Sequence, residues 1–258
     1  MYRSERESEI LRELERCGYA TVEYLAEKIH ISPSSIRRDL NDLALRGLVL
    51  RSYGGVQLLE TAGKNVPFSL RSHSNADKKR LIARRAASLL HGGEVVFLDG
   101  SSSAFFLAQE LTGIGGLTVV TNSIDITSLL SQYAIRTVCT GGMISPDNPA
   151  VLVDEPAAGT IASIHADFAF FSVQSLTADG TVSDCYPAEV RLRRLMMASA
   201  AHKVLLIDST KLSHPSTYLQ CRVTDLETVI CDRDLNGFFS CKTGETVFLC
   251  GTGNGQPS

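Results

Sequence analysis

The chain has 258 residues, 44% hydrophobic and 21% charged, which excludes a disordered polymer and suits one large domain or a small one followed by a medium one. No apolar run approaches the roughly 18 residues of a membrane span. The N-terminus is charged from its third residue with no apolar leader core, so a cytoplasmic protein without a membrane partner is expected. The net charge of -3 hides an uneven distribution: residues 64–85 carry 7 basic groups and 1 acidic one, a hint of an anionic partner.

In chain order, Ser4 and Glu7 have capping-box spacing ahead of Ile10 and Leu14, which predicts a first helix stopped by Gly18. Thr21 caps a second helix over 22–29. Ser32 followed by Pro33 starts a third, which Gly47 ends after Arg46. Strand-like runs at 48–51 and 56–58 flank Tyr53-Gly54-Gly55, a hairpin signal. Residues 1–60 form the first domain, and 61–75, with Gly, Pro and Ser and no period, a linker.

From residue 76 to 250 helices and strands alternate. Helices are expected at 77–91, 103–111, 124–131, 156–165 and 187–201. Strands are expected at 94–98, 117–120, 137–140, 168–173, 203–207, 227–231 and 246–250. The alternation predicts an α/β domain with a mostly parallel sheet covered on both faces, and 251–258 reads as a disordered tail. The seven cysteines show no zinc-ligand spacing and read as buried free thiols; neither a metal nor a cofactor is expected.

Two constellations carry chemistry. At about 100° per residue, the third helix places Ile36, Leu40 and Leu43 on one face, Ser34, Arg38 and Asn41 on the opposite face, and Arg37 on the flank. Arg can pair with guanine and Asn with adenine edges, and a polar helix following a short turn after another helix is helix-turn-helix geometry. The candidate DNA-binding set is Ser32, Ser34, Ser35, Arg37, Arg38 and Asn41, with Arg51, Tyr53 and Gly54 on the hairpin as a wing.

The second constellation follows the strands. Asp99-Gly100-Ser101-Ser102-Ser103 leads from a strand into a helix, where converging N–H groups and hydroxyls favour an anion. Thr121-Asn122-Ser123, Gly141-Gly142 and Asp208 to Lys211 follow other strands, and such loops gather at the carboxyl rim of a parallel sheet. Together with Glu189 they form the candidate effector site, with a phosphate as the natural anion. Glu189, Asp208 and Lys211 could alternatively serve an isomerase as an acid-base set.

The run SPSSIRRDLNDLALRGLVLRSYGGV (32–56), preceded by TVEYLAEKIHI (21–31), closely resembles the DeoR family of bacterial transcriptional regulators. PF-x-x-R (67–71), KK-x-x-IA (78–83), FLDGSSS, VVTNS and DSTK continue the resemblance. Departures are Ser101-Ser102-Ser103 where many members have Gly-Thr-Thr or Gly-Ser-Thr, and Ser172 where a glycine is frequent. The resemblance implies a winged helix-turn-helix domain followed by a Rossmann-like effector domain similar to ribose-phosphate isomerases. It further implies a repressor of a carbohydrate-use operon that binds double-stranded operator DNA and a phosphorylated sugar. A homodimer or higher oligomer is expected, because one reader helix covers a half-site. The alternatives are a sugar-phosphate isomerase-like enzyme with an accessory helical domain, and a protein-interaction module built on a winged helix.

Overall fold

The computed structural model describes residues 3–45, 48–52, 55–58, 71–72, 74–212 and 215–251. The chain divides into two compact units, Met1–Ser74 and Asn75–Ser258.

In the first unit, α1 (Arg3–Cys17), α2 (Val22–Ile29) and α3 (Pro33–Leu45) pack with a three-stranded sheet. The sheet has the order β1 (Tyr19–Ala20), β3 (Gly55–Leu58), β2 (Val49–Ser52). Ile10, Leu14, Leu25, Ile36, Leu40 and Leu43 are fully buried in one core with Val56. Helix α1 begins at Arg3, so Ser4 lies inside the helix and is not its cap. Gly18 ends it at φ +72, its N–H donating to the Leu14 carbonyl at 2.8 Å. Thr21 Oγ1 accepts the Tyr24 N–H at 3.1 Å and starts α2. His30, not a glycine, takes the left-handed C-cap position at φ 58. Ser32 Oγ accepts the Ser35 N–H at 3.3 Å and starts α3. Strand β1 is unforeseen: two residues carry no period. Its fit explains Gly55, where a Cβ would stand 2.7 Å from the Ala20 carbonyl oxygen. The expected stop at Arg46 and Gly47, the wing tip Tyr53 and Gly54, most of the 61–75 linker and the tail from 252 lie outside the described residues.

The second unit is built on a seven-stranded, all-parallel sheet. Its order is β15 (Val247–Cys250), β14 (Thr228–Cys231), β12 (Ala200–Ile207), β9 (Ala166–Phe171), β4 (Val95–Leu98), β5 (Thr118–Thr121), β6 (Arg136–Cys139). Strands buried on both faces read as apolar runs, as VVFL does. Val96 and Leu98 face one core with α4 (Ala76–Ala87), α5 (Ser102–Glu110) and α6 (Ile124–Leu130). Phe97 faces the other, against α7 (Asp154–Ala162) and α8 (Pro187–Ala198). The architecture is the covered parallel sheet that alternation implied and the Rossmann-like domain that the resemblance implied.

Two helices close earlier than expected. Helix α4 closes at Ala87 rather than His91, and α8 at Ala198 rather than residue 201, because β12 already begins at Ala200. Two small sheets are additional: β10 (Ser175–Leu176), β11 (Thr181–Asp184) and β13 (Tyr218–Arg222), and the hairpin of β7 (Met143–Ile144) with β8 (Leu152–Val153). The thiol expectation also needs correction, since Cys17, Cys139 and Cys241 are exposed. Burial pushes the Cys185, Cys221 and Cys231 thiols up to about 12.

Candidate functional site

Helix α3, the candidate reader, is anchored from behind. Arg6 of α1 grips Asp39 of α3 through two hydrogen bonds, Nε to Oδ2 at 2.9 Å and Nη2 to Oδ1 at 3.1 Å, with Asp39 buried. The acidic residue of the Ile-Arg-Arg-Asp-Leu run therefore fixes the pitch of α3, while Ser34, Arg37, Arg38 and Asn41 stay exposed on the side away from the core. Arg37 on the flank reaches Glu23 of α2, Nη2 to Oε1 at 3.0 Å. Arg51 of β2 donates to Asn41 Oδ1, which draws the base of the hairpin onto α3. The Ser34 and Ser35 hydroxyls each lie 3.0 Å from Ser32 Oγ, so the three serines form one cluster at the helix start.

In the second unit, strand order reverses direction between β4 and β9, the place where doubly wound sheets open a crevice at their carboxyl ends. The loops after β4, β5, β9 and β12 meet there. Asp99 is the pivot: one carboxylate oxygen accepts the Ser101 N–H and the other the Ser172 N–H, both at 3.2 Å. Ser172, a departure from the resembled pattern, accepts a hydrogen bond from Lys211 Nζ at 3.1 Å. Asp99, Ser172 and Lys211 are thus linked across three loops.

Several candidate residues are occupied by local structure. Ser101 Oγ caps α5 by accepting the Ala104 N–H, and Ser123 Oγ caps α6 by accepting the Ile126 N–H. Thr121 Oγ1 accepts the Ser123 N–H. Gly142, at φ +115, turns the chain into β7 where a Cβ would overlap the Val153 carbonyl; Gly141 beside it is exposed. Gly100 packs so tightly on Val151 that a Cβ would overlap its methyl group. Other atoms are left open. Ser103 Oγ, Asn122 Oδ1 and Asp208 Oδ2 are buried without a hydrogen-bond partner, and Ser102 is buried beside them in the chain.

Glu189 stands in a different setting from the expected one. It is 4% exposed and bonded to Arg193, Nη2 to Oε2 at 3.1 Å, and to Asn148 Nδ2 at 3.1 Å. Arg193 also reaches Asp184 at 2.7 Å and lies 3.2 Å from Asp99 Oδ2. Burial raises the Asp99 carboxyl above the usual carboxylate range, although Arg193 pulls the other way. Burial pushes Asp184 up as well, but the Arg193 charge and hydrogen bonds outweigh it and the net direction is down. Asp208 is also held low: burial opposes, and Lys211, Thr210 and Lys79 together prevail. Arg193, Asp184 and Asn148 are absent from the sequence reading, and Lys79 enters it only as part of the KK-x-x-IA run. Only the four-residue spacing of Glu189 and Arg193 on a helix could have flagged one of them.

In the basic stretch after the expected linker, three side chains make contacts within their own unit. Lys78 donates to Ser209 Oγ at 2.7 Å, Arg80 pairs with Asp77 at 2.9 Å and Arg84 approaches Glu110 at 3.7 Å. Among the described residues there is no His/Cys/Asp/Glu group able to hold a metal, and no helix long and apolar enough to cross a membrane.

Both units match known proteins. Residues 6–62 match the DeoR-like helix-turn-helix domain and residues 74–233 the DeoR C terminal sensor domain. The chain is 33% identical to the L-fucose operon activator of Haemophilus influenzae, over 89% of this chain and 92% of that one. It is 26% identical to the glycerol-3-phosphate regulon repressor of Escherichia coli, over 90% and 92%. Among solved structures, ribose 5-phosphate isomerase A from Methanocaldococcus jannaschii aligns with a TM-score of 0.41 and 20% identity. That alignment covers 54% of this chain and 55% of the isomerase. With a DNA-reading unit and a sensor unit both matched, the chain belongs to the DeoR family of transcriptional regulators.

Proposed function

We propose that the protein represses a carbohydrate-utilisation operon and that a phosphorylated sugar releases it from its operator. One observation carries the effector reading: Ser103 Oγ, Asn122 Oδ1 and Asp208 Oδ2 are buried and unpartnered at the rim, with Lys211 on the Asp208 loop. A buried polar atom without a partner costs about 1–3 kcal/mol, which a bound ligand recovers by supplying one. Their strands β12, β4 and β5 lie within four consecutive positions of the sheet, a span of roughly 14 Å at ~4.8 Å per spacing. The Ser103 hydroxyl and the first N–H groups of α5 suit a phosphate. Asn122 Oδ1 and Asp208 Oδ2 suit sugar hydroxyls.

DNA reading is assigned to the exposed Ser34, Arg38 and Asn41 of α3, with Arg37 and the wing contacting phosphates. The sensor acts without turnover, because Glu189, the carboxylate an isomerase would need free, is committed to Arg193 and Asn148. The working unit is a cytoplasmic homodimer that pairs two reader helices with two half-sites.

A thermal-shift panel of sugar phosphates, followed by fluorescence anisotropy on a promoter fragment, tests the effector reading. A ligand at 100 times its Kd stabilises by about 2.7 kcal/mol. The reading falls if no phosphorylated sugar shifts either melting or DNA affinity. Sedimentation velocity with and without DNA tests the dimer, and a monomer in both conditions overturns it.

A further inference from the structure

We propose that Arg193 is a positioning residue of the crevice, and that through Glu189 and Asn148 it holds the β7–β8 hairpin as a strap across the rim. The proposal rests on the phosphate-ligand reading above and extends it to residues outside that site.

Arg193 is 3% exposed and meets three carboxylates from three different elements: Asp184 at the end of β11, Glu189 one turn earlier on α8, and Asp99 after β4. Its planar guanidinium hydrogen-bonds Asp184 and Glu189 and pairs with Asp99 by charge at 3.2 Å, so one rigid group ties the three together. Asp99 in turn receives the Ser101 and Ser172 N–H groups, so the loop entering α5 and the loop bearing the Lys211 contact both hang on this cluster.

The strap joins at Glu189. Asn148 lies in the turn of the hairpin and is 2% exposed; its amide donates to Glu189 Oε1 at 3.1 Å, and its own Oδ1 accepts the Ala150 N–H at 3.3 Å. The returning strand then lies along the loop after β5. The Leu152 N–H donates to the Asn122 carbonyl at 2.8 Å, Asn122 Nδ2 donates to the Leu152 carbonyl at 3.0 Å, and the Ile124 N–H donates to the Ala150 carbonyl at 2.9 Å. The Val151 methyls rest on Gly100 with no room for a Cβ. The strap therefore sets both the amide of Asn122, whose Oδ1 is left open, and the backbone that delivers Ser101 to Ser103. If Asn148 lets go, the chain that orients Asn122 loses its buried tie to Arg193.

The test uses the full chain with inorganic phosphate as probe, and three variants: Asn148→Ala, Arg193→Lys and Arg193→Met. Asn148→Ala should speed amide hydrogen exchange at Val151, Leu152 and Ile124 by about tenfold, the ordinary worth of one hydrogen bond to a charged group. Exchange in β4 and β9 should stay at the parent rate. Phosphate Kd by calorimetry should rise by a similar factor. Along the Arg193 series, phosphate affinity should fall from parent to Lys to Met, with Lys restoring part of what Met loses. Parent-like exchange at the three strap amides together with parent-like phosphate Kd in Asn148→Ala overturns the proposal. If Arg193→Met does not fold, Asn148→Ala decides alone. If the parent binds no inorganic phosphate, the affinity arm is run with a sugar phosphate that shifts its melting, and the exchange arm accepts or rejects the strap in either case.

Discussion

Leu40 and Arg38 stand two residues apart on α3 with opposite surroundings, so replacing each with alanine separates folding from reading. Leu40 is fully buried in the core of the first unit, against α1, α2 and the small sheet. Truncating a buried leucine removes its transfer free energy and leaves a cavity, costing about 2–5 kcal/mol. A unit of this size has only one small core, and such cores seldom supply more than about 3–5 kcal/mol in all. Leu40→Ala should therefore bring the DNA-reading unit close to its unfolding midpoint at growth temperature while the sensor unit, with separate cores, melts as before. Arg38 is exposed, and its removal should change stability by no more than about 0.5 kcal/mol. If Arg38 reads a base, its loss costs about 1–3 kcal/mol of binding, or roughly 5–150-fold in Kd. Differential scanning calorimetry of the full chain measures the two units, and anisotropy with a promoter fragment at fixed salt measures the affinity. Parent-like affinity in Arg38→Ala removes Arg38 as a base reader, and parent-like affinity in the Arg37→Ala, Arg38→Ala double variant removes α3. A parent-like first transition in Leu40→Ala refutes the packing argument.

Three further outcomes follow from the sensor unit. Lys211→Ala should keep parent DNA affinity and lose release by the sugar phosphate that releases the parent, because Lys211 serves the rim and lies outside the reader; anisotropy with and without that ligand decides. Asp184 has its folded pKa depressed, so its contribution is fully present above the unfolded value of about 3.9 and is lost as pH falls through the lower folded value. Asp184→Asn should accordingly flatten the acid limb of sensor stability in urea titrations run across that range, and an unchanged slope would contradict the assignment. With iodoacetamide at mildly alkaline pH, Cys17, Cys139 and Cys241 should be alkylated well before Cys185, Cys221 and Cys231, whose thiols burial holds at about 12; peptide mass spectrometry reads the order.

The amino-acid order by itself determined whatever depends on neighbours in the chain. The period of Ile36, Leu40 and Leu43 places α3 and its exposed arginine, and Ser32 before Pro33 sets where it starts, because caps and helical faces are local properties. The alternation after residue 76 yields a parallel sheet, and with it the gathering of Asp99, Asn122 and Lys211 at one rim, because parallel strands deliver their following loops to the same end. Tertiary structure alone decided the partners. A two-residue strand such as β1 has no period to detect, and it forms because Gly55 lets the hairpin approach Tyr19 and Ala20. Asp39 sits in the midst of a polar, arginine-rich run, yet it is buried because Arg6, 33 residues away, meets it in space. Glu189 looked available for a ligand because its sequence neighbours do not reveal Asn148, 41 residues earlier in the chain. Arg193 carried no signal in the sequence, and the fold closes Asp99, Asp184 and Glu189 around it. A charge can remain in the interior only beside opposite charges, and those came from segments that the chain brings together only on folding.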